Sequence, residues 1–279
     1  MMIDKIIIFT DLDATMLDEN YSYKAASSAL KMIKDAGIHL VLNSSKTLSE
    51  MISLRNELDF LDPIIAENGT VAGIPKNLIN QEYKNDELYI DVEGFISRSK
   101  IKKIIYSIRE KYNFEFEGFS DWDVDTVSKK TNLSYNDAVN SMDRIMTEPI
   151  IWLDNVENYK TFIDMLKSAE IQCVSGGKFK HIMSAKANKG EAMNKVLKYY
   201  KKYYEKTNIV SIALGDSEND IPMLNASDYP IVILNPSKKT ISVDHTNVKF
   251  SKIAGPSGWN NEIIEVLNYL NKNKMVGIK

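Results

Sequence analysis

The sequence predicts an α/β protein, a Rossmann-like parallel-sheet core interrupted by one inserted α+β domain. Three observations carry that prediction. Short apolar runs recur at Lys5–Thr10, His39–Asn43, Pro63–Ala66, Ile209–Gly215 and Ile231–Leu234, alternating with segments of helical spacing. Strands that are apolar on both faces belong to parallel sheets covered by helices on each side. Between about Tyr83 and Met183 the texture changes, after which the alternation returns.

Taken in order, Lys5–Thr10 is β-branched and apolar and reads as the first strand, and Tyr23–Ala36 has helical spacing with Gly37 as its stop. His39–Asn43 is the second strand, Thr47–Leu58 the second helix, and Pro63–Ala66 a third strand running into Glu67, Asn68 and Gly69. The insertion reads as a strand at Leu88–Val92, a helix near Ser97–Tyr112, short pieces around Ser134–Met142, a strand at Ile150–Leu153, a helix over Asn158–Glu170 and a hairpin at Gly176 and Gly177. The core resumes with a helix at Lys189–Lys202, strands at Ile209–Gly215 and Ile231–Leu234 around a short helix at Ile221–Leu224, and a last helix at Gly258–Asn271. The expected division is residues 1–83 and 186–279 for the core and 84–185 for the insertion.

Composition narrows the function classes. With 35 Lys and Arg against 38 Asp and Glu, the net charge of −3 offers no field to gather nucleic acid or anionic lipid. The lysines and tyrosines of Lys195–Lys206 read better as an amphipathic helix with a solvated basic face than as a nucleic-acid site. Cys173 is the single cysteine, which excludes a disulfide framework and a thiolate cluster and suits a reducing compartment; a cytoplasmic location is expected. No apolar run approaches the roughly 18 residues of a membrane span. The oligomeric state stays open.

The chemistry is suggested by carboxylates. Asp11 and Asp13 follow the first strand directly, and Asp216 and Asp220 follow the strand Ile209–Gly215, so the fold brings both pairs to the carboxyl edge of one sheet, where ligand crevices form. An Asp at a strand end is commonly a turn former, but two such clusters offer hard oxygen ligands of the kind Mg²⁺ takes beside water and phosphate oxygens. Taken singly, Lys189 could be a solvated helix residue, Ser44 a loop residue, Thr47 a helix cap, His181 a packed hairpin residue and Cys173 a buried apolar side chain.

Taken together, Asp11, Asp13 and Thr15, then Ser44, then Lys189, then Asp216 and Asp220 resemble, in order, the four motifs of the haloacid dehalogenase superfamily of phosphatases. Ala14 departs from the pattern, since many members carry glycine there. The resemblance implies phosphomonoester hydrolysis through an aspartyl-phosphate on Asp11, with Asp13 as acid and base and Ser44 on the phosphoryl oxygens. It implies Mg²⁺ held by Asp11, Asp216 and the Asp13 backbone carbonyl, Lys189 helping it to offset the repulsion between carboxylate and phosphate, and Asp220 and Asn219 around the metal's ligands or one of them on the metal itself. Its large-cap members place an insertion after the third strand that chooses the leaving group.

Within that superfamily the chain resembles the mannosyl-3-phosphoglycerate phosphatase family. The matching segments are Ser44 to Thr47 with Leu54 and Arg55, Glu67 to Gly69, Arg144 with Thr147 to Pro149, Gly176 to Phe179 with His181 and Ile182, and Gly255 to Asn260. This implies a phosphorylated sugar-glycerate substrate, with Ser45, Arg144, Gly176, Gly177, Lys178 and His181 as substrate-binding candidates. Gly176 and Gly177 would serve equally as a plain hairpin turn. Another sugar-phosphate phosphatase, a phosphomutase, or a regulatory protein that binds a phosphate ligand without turnover are the competing readings.

Overall fold

The computed structural model describes residues 5–83, 87–176, 178–205 and 207–272. The core begins with β1 (Lys5–Thr10), α1 (Ser27–Asp35), β2 (His39–Asn43), α2 (Leu48–Leu58), β3 (Ile64–Ala66), β4 (Val71–Pro75), α3 (Lys76–Ile79) and β5 (Leu88–Asp91). The insertion holds α4 (Arg98–Tyr112), β6 (Phe116–Gly118), α5 (Val124–Thr131), α6 (Tyr135–Met142), β7 (Glu148–Trp152), α7 (Val156–Ser168), β8 (Ile171–Gly176) and β9 (Phe179–Ser184). The chain returns to the core through α8 (Lys189–Tyr203), β10 (Ile209–Gly215), α9 (Ile221–Ala226), β11 (Tyr229–Leu234), β12 (Lys249–Ala254) and α10 (Gly255–Lys272).

Eight strands form the core sheet in the order β12-β11-β10-β1-β2-β3-β4-β5. The six from β12 to β3 run parallel, and β4 and β5 add antiparallel pairings at one edge. The expected α/β class is therefore what the chain adopts. Strand β1 shows why its sequence is apolar throughout. Ile6 and Ile8 pack into the layer that holds Ile33 of α1 and Leu267 of α10, while Ile7 and Phe9 pack into the opposite layer with Val196 of α8 and Met223 of α9. The smaller sheet, β6-β7-β9-β8, is antiparallel and closes its own core around Ile101, Ile105, Phe116, Ile150 and Phe162.

One expected element sits elsewhere. The strand read at Leu88–Val92 as the start of the insertion pairs with β4, Ile74 facing Tyr89 and Ala72 facing Asp91, and is the edge strand of the core sheet. The core sheet therefore takes in residues past position 83, and the small sheet begins only after α4. Among the described residues, no helix is long and apolar enough to cross a membrane.

The helix that carries Lys189 is placed by a close contact. A Cβ on Gly190 would stand 2.4 Å from the Pro222 carbonyl oxygen, so α8 reaches α9 only because this position has no side chain. Gly190→Ala is expected to cost about 1–3 kcal/mol through overpacking, measured as a fall in the thermal midpoint, and to reduce turnover by displacing Lys189.

Candidate active site

The site forms where β1, β2 and β10 end. Asp11 leaves β1 with its N–H still donating to the Leu214 carbonyl at 2.9 Å, which holds the first acidic turn against the strand that leads into the second. The turn closes through Ala14, whose φ of 60° lies in the left-handed region and costs an alanine about 1–2 kcal/mol that glycine would not incur. At the end of β10, Asp220 folds back so that its Oδ2 accepts from the N–H groups of Asp216 and Ser217, both at 3.0 Å. After β2, Thr47 caps α2 with a reciprocal pair: its hydroxyl accepts from Glu50 N–H while its own N–H donates to the Glu50 carboxylate.

These turns gather Asp11, Asp216 and Asp220, with one carboxylate oxygen of each within 4.8 Å of the others, and all three side chains are buried. Lys189 lies beneath them, fully buried, donating to Asp11 at 2.5 Å and to Asp220 at 2.6 Å. Burial and the neighbouring Asp220 push Asp11 up to about 8, against the opposing pull of Lys189. Burial alone would depress Lys189, but Asp11 and Asp220 outweigh it and hold the ammonium above the ordinary lysine range. Three buried carboxylates with an oxygen of each in reach of the others form a set of hard oxygen donors that suits a divalent cation such as Mg²⁺, with Lys189 against Asp11 and Asp220 and Lys238 against Asp216.

The expected residues do not all meet at that cluster. The Asp13 carboxylate is half exposed and lies 3.1 Å from Lys46 Nζ, so it is not part of the buried triad. Ser44 is buried, with its hydroxyl accepting from Lys46 N–H at 3.3 Å and its N–H given to Ile65. Asp11, Asp13, Ser45, Asp216, Arg144, Gly176, Lys178 and His181 line one cleft of about 810 Å³ between the two sheets, which is ample for a small ligand. Gly177 lies outside the described residues.

Arg144 and His181 line the cleft, and each keeps one buried polar atom without a hydrogen-bond partner among the described residues. The Arg144 NH1 group donates to the Ser45 carbonyl and the Thr147 hydroxyl, both at 3.1 Å, while its Nε–H has no hydrogen-bond partner among the described residues. Burial draws the guanidinium below its usual value, with Glu67 opposing. His181 is buried, its Nδ1 lacks a partner among the described residues, and burial together with nearby Arg144 pushes it down to about 3, so it is a neutral imidazole. Both residues line the cleft, where a guanidinium and a neutral imidazole are complementary to a ligand carrying an anion and hydroxyls.

Four polar residues of the site were not picked out from the sequence. Lys46 lies between Asp13 and Glu50 with the Tyr21 ring 4.5 Å away. Asn235 and Lys238 donate to Asp216 Oδ2 at 2.7 and 3.0 Å. They follow β11, another strand of the same parallel sheet, so the strand-end rule that selected Asp11 and Asp216 also covers this loop. Lys46 and Glu67 both stand in matching segments of the sequence, where neither was given a role.

Over 268 residues the chain is 36% identical to the glucosyl-3-phosphoglycerate/mannosyl-3-phosphoglycerate phosphatase of Methanococcoides burtonii, covering 94% of this chain and 97% of that one. It is 33% identical to the protein of the same name from Persephonella marina, covering 96% and 99%. In structure it is similar to a haloacid dehalogenase-like hydrolase from B. subtilis, with a TM-score of 0.64 at 19% identity, covering 95% of this chain and 99% of that one. The family model described as haloacid dehalogenase-like hydrolase matches residues 8–251, and together with the two curated relatives this bears out the resemblance read from the motifs: the chain belongs to the haloacid dehalogenase-like hydrolase family.

Proposed function

We propose that this phosphoric monoester hydrolase removes the phosphoryl group of mannosyl-3-phosphoglycerate or its glucosyl counterpart, releasing the glycosylglycerate. The observation that carries the reading is one cleft lined from both sheets. The core contributes Asp11, Asp13 and Asp216, and the insertion contributes Arg144, Lys178 and neutral His181. A sugar-glycerate phosphate has the matching parts: a phosphoryl group for the core residues, and a carboxylate and sugar hydroxyls for those of the insertion. The names of the two curated relatives support the same substrate class.

In this reading Asp11 attacks phosphorus, the bond from phosphorus to the ester oxygen breaks, and Asp13 gives its proton to the departing alkoxide. Water then attacks the aspartyl-phosphate; Asp13 takes the water's proton, and inorganic phosphate leaves with Asp11 restored. Lys189 holds Asp11 in place and adds positive charge under the reacting oxygens. Mg²⁺ held by Asp11, Asp216 and Asp220 would supply the charge that offsets repulsion between carboxylate and phosphate. A reducing, cytoplasmic setting belongs to the same proposal, supported by the single cysteine.

The test is phosphate release from both glycosyl-3-phosphoglycerates, with Mg²⁺ and with a chelator, beside a panel of ordinary sugar phosphates. Release that prefers the glycosyl-3-phosphoglycerates and falls to background in chelator is expected. Metal-dependent release from the sugar phosphates alone would leave the core chemistry standing and refute the substrate.

A further inference from the structure

Glu67, Asn68 and Gly69 form a turn that the proposed reaction does not use. All three have left-handed backbones, with φ of 47°, 59° and 93°, and such a turn persists only where its surroundings hold it. Here the surroundings are the catalytic loops. Glu67 N–H donates to the Lys46 carbonyl at 2.8 Å and Asn68 N–H to the Ser44 carbonyl at 3.0 Å, which ties the turn to the loop after β2. The Asn68 Oδ1 accepts from Asn219 at 3.0 Å, which ties it to the turn after β10. A Cβ on Gly69 would stand 2.4 Å from the Asn188 carbonyl oxygen, so the turn also abuts the residue that precedes Lys189.

The Glu67 side chain alone leaves this core assembly and enters the insertion. Fully buried, it accepts four hydrogen bonds: Oε1 from Ile145 N–H at 2.8 Å, and Oε2 from Met146 N–H at 3.1 Å, Thr147 N–H at 2.7 Å and the Thr147 hydroxyl at 2.6 Å. That hydroxyl in turn accepts from NH1 of Arg144, a residue that lines the cleft. One carboxylate therefore connects the turn that braces the core loops to the guanidinium that the insertion brings to the cleft.

We propose that Glu67 is a positioning residue: it pins the 144–147 segment of the insertion to the core and thereby sets Arg144 at the distance from Asp11 that a phosphomonoester with a second anionic group requires. The substrate part of this statement rests on the reading in the preceding subsection. A glutamate suits the position because every group around it is a donor; a glutamine side chain in its place would turn an N–H₂ toward one of them. The insertion keeps its own apolar core around Ile101, Ile105 and Phe162, so loss of the pin should loosen the junction without unfolding it.

The experiment compares wild type, Glu67→Gln and Thr147→Val by amide hydrogen exchange and by steady-state kinetics on a glycosyl-3-phosphoglycerate and on phenyl phosphate. In Glu67→Gln, protection at Ile145, Met146 and Thr147 should fall at least about tenfold. KM for the carboxylate-bearing substrate should rise about tenfold, against a change within about twofold for phenyl phosphate. Thr147→Val removes the hydroxyl, and with it the link to Arg144 and one of the four bonds to Glu67, but keeps the three backbone N–H bonds to Glu67, so it should reproduce the KM effect with the three amides still protected. It also keeps the test available if Glu67→Gln does not fold. Unchanged protection in Glu67→Gln, or an equal loss on both substrates, would overturn the proposal. If wild type does not prefer a glycosyl-3-phosphoglycerate, the substrate reading fails by itself, and Glu67 is judged on the exchange data and on the best ester of the panel. There its effect should vanish in an Arg144→Gln background, and persistence of the full effect would refute the pin.

Discussion

Asp11→Asn is expected to abolish phosphate release, by about 10⁴-fold or more, in a protein whose thermal midpoint in chelator is unchanged or higher. On the proposed mechanism the substitution keeps shape and removes the attacking oxygen, so no aspartyl-phosphate would form. Stability should survive because Asp11 contributes little that the fold requires. Its backbone bond to Leu214 does not depend on the side chain, and Lys189 retains Asp220 at 2.6 Å. The carboxylate is moreover one of three like charges in a buried cluster, and burial with Asp220 already disfavours its ionised form. Neutralising it relieves repulsion. Near-wild-type turnover in a folded Asp11→Asn protein, measured as phosphate release under saturating Mg²⁺, would remove Asp11 from the chemistry.

The parts of this molecule that were legible in the sequence are those whose cause is local. Lys5–Thr10 reads as a strand because both of its faces are buried, and Asp11 and Asp216 stand out because they follow such strands directly. Five elements were hidden for physical reasons. β4 contains Gly73 and Pro75, α3 is a single four-residue turn, β6 is three residues long, α5 is rich in Val, Thr and Ser with Asp123 as its cap, and β12 is an edge strand whose exposed face makes Lys-Phe-Ser-Lys-Ile-Ala look like a loop. β5 was assigned to the insertion because its pairing with β4 depends on a strand that the sequence did not reveal. The side-chain partners were less legible still. Glu67 meets residues about 80 positions away, Lys46 finds Asp13 across the sheet edge, and Lys238 reaches back to Asp216, so each pairing exists only once the topology is known.

Lys189→Met should destabilise the protein by about 3–5 kcal/mol, seen as a lower urea midpoint with the slope of the transition preserved, and should abolish turnover. Methionine fills much the same volume, so the loss is electrostatic. Lys189 is fully buried between Asp11 and Asp220, and removing it leaves both carboxylates facing each other without a counter-charge. Asp220 cannot turn away, since its Oδ2 already accepts from Asp216 and Ser217 and thereby shapes the turn. If that account is right, the penalty depends on how many charges are stranded. Combining Lys189→Met with Asp11→Asn should recover part of the stability lost by Lys189→Met alone, because one of the two stranded carboxylates is now neutral. A strictly additive double variant, or a Lys189→Met protein as stable as wild type, would show that the ammonium does not hold the cluster together. Non-additivity of the expected sign would place Lys189 as the counter-charge that allows the carboxylates to be buried side by side, which is the arrangement that places Asp11 next to Asp216 at the edge of the sheet.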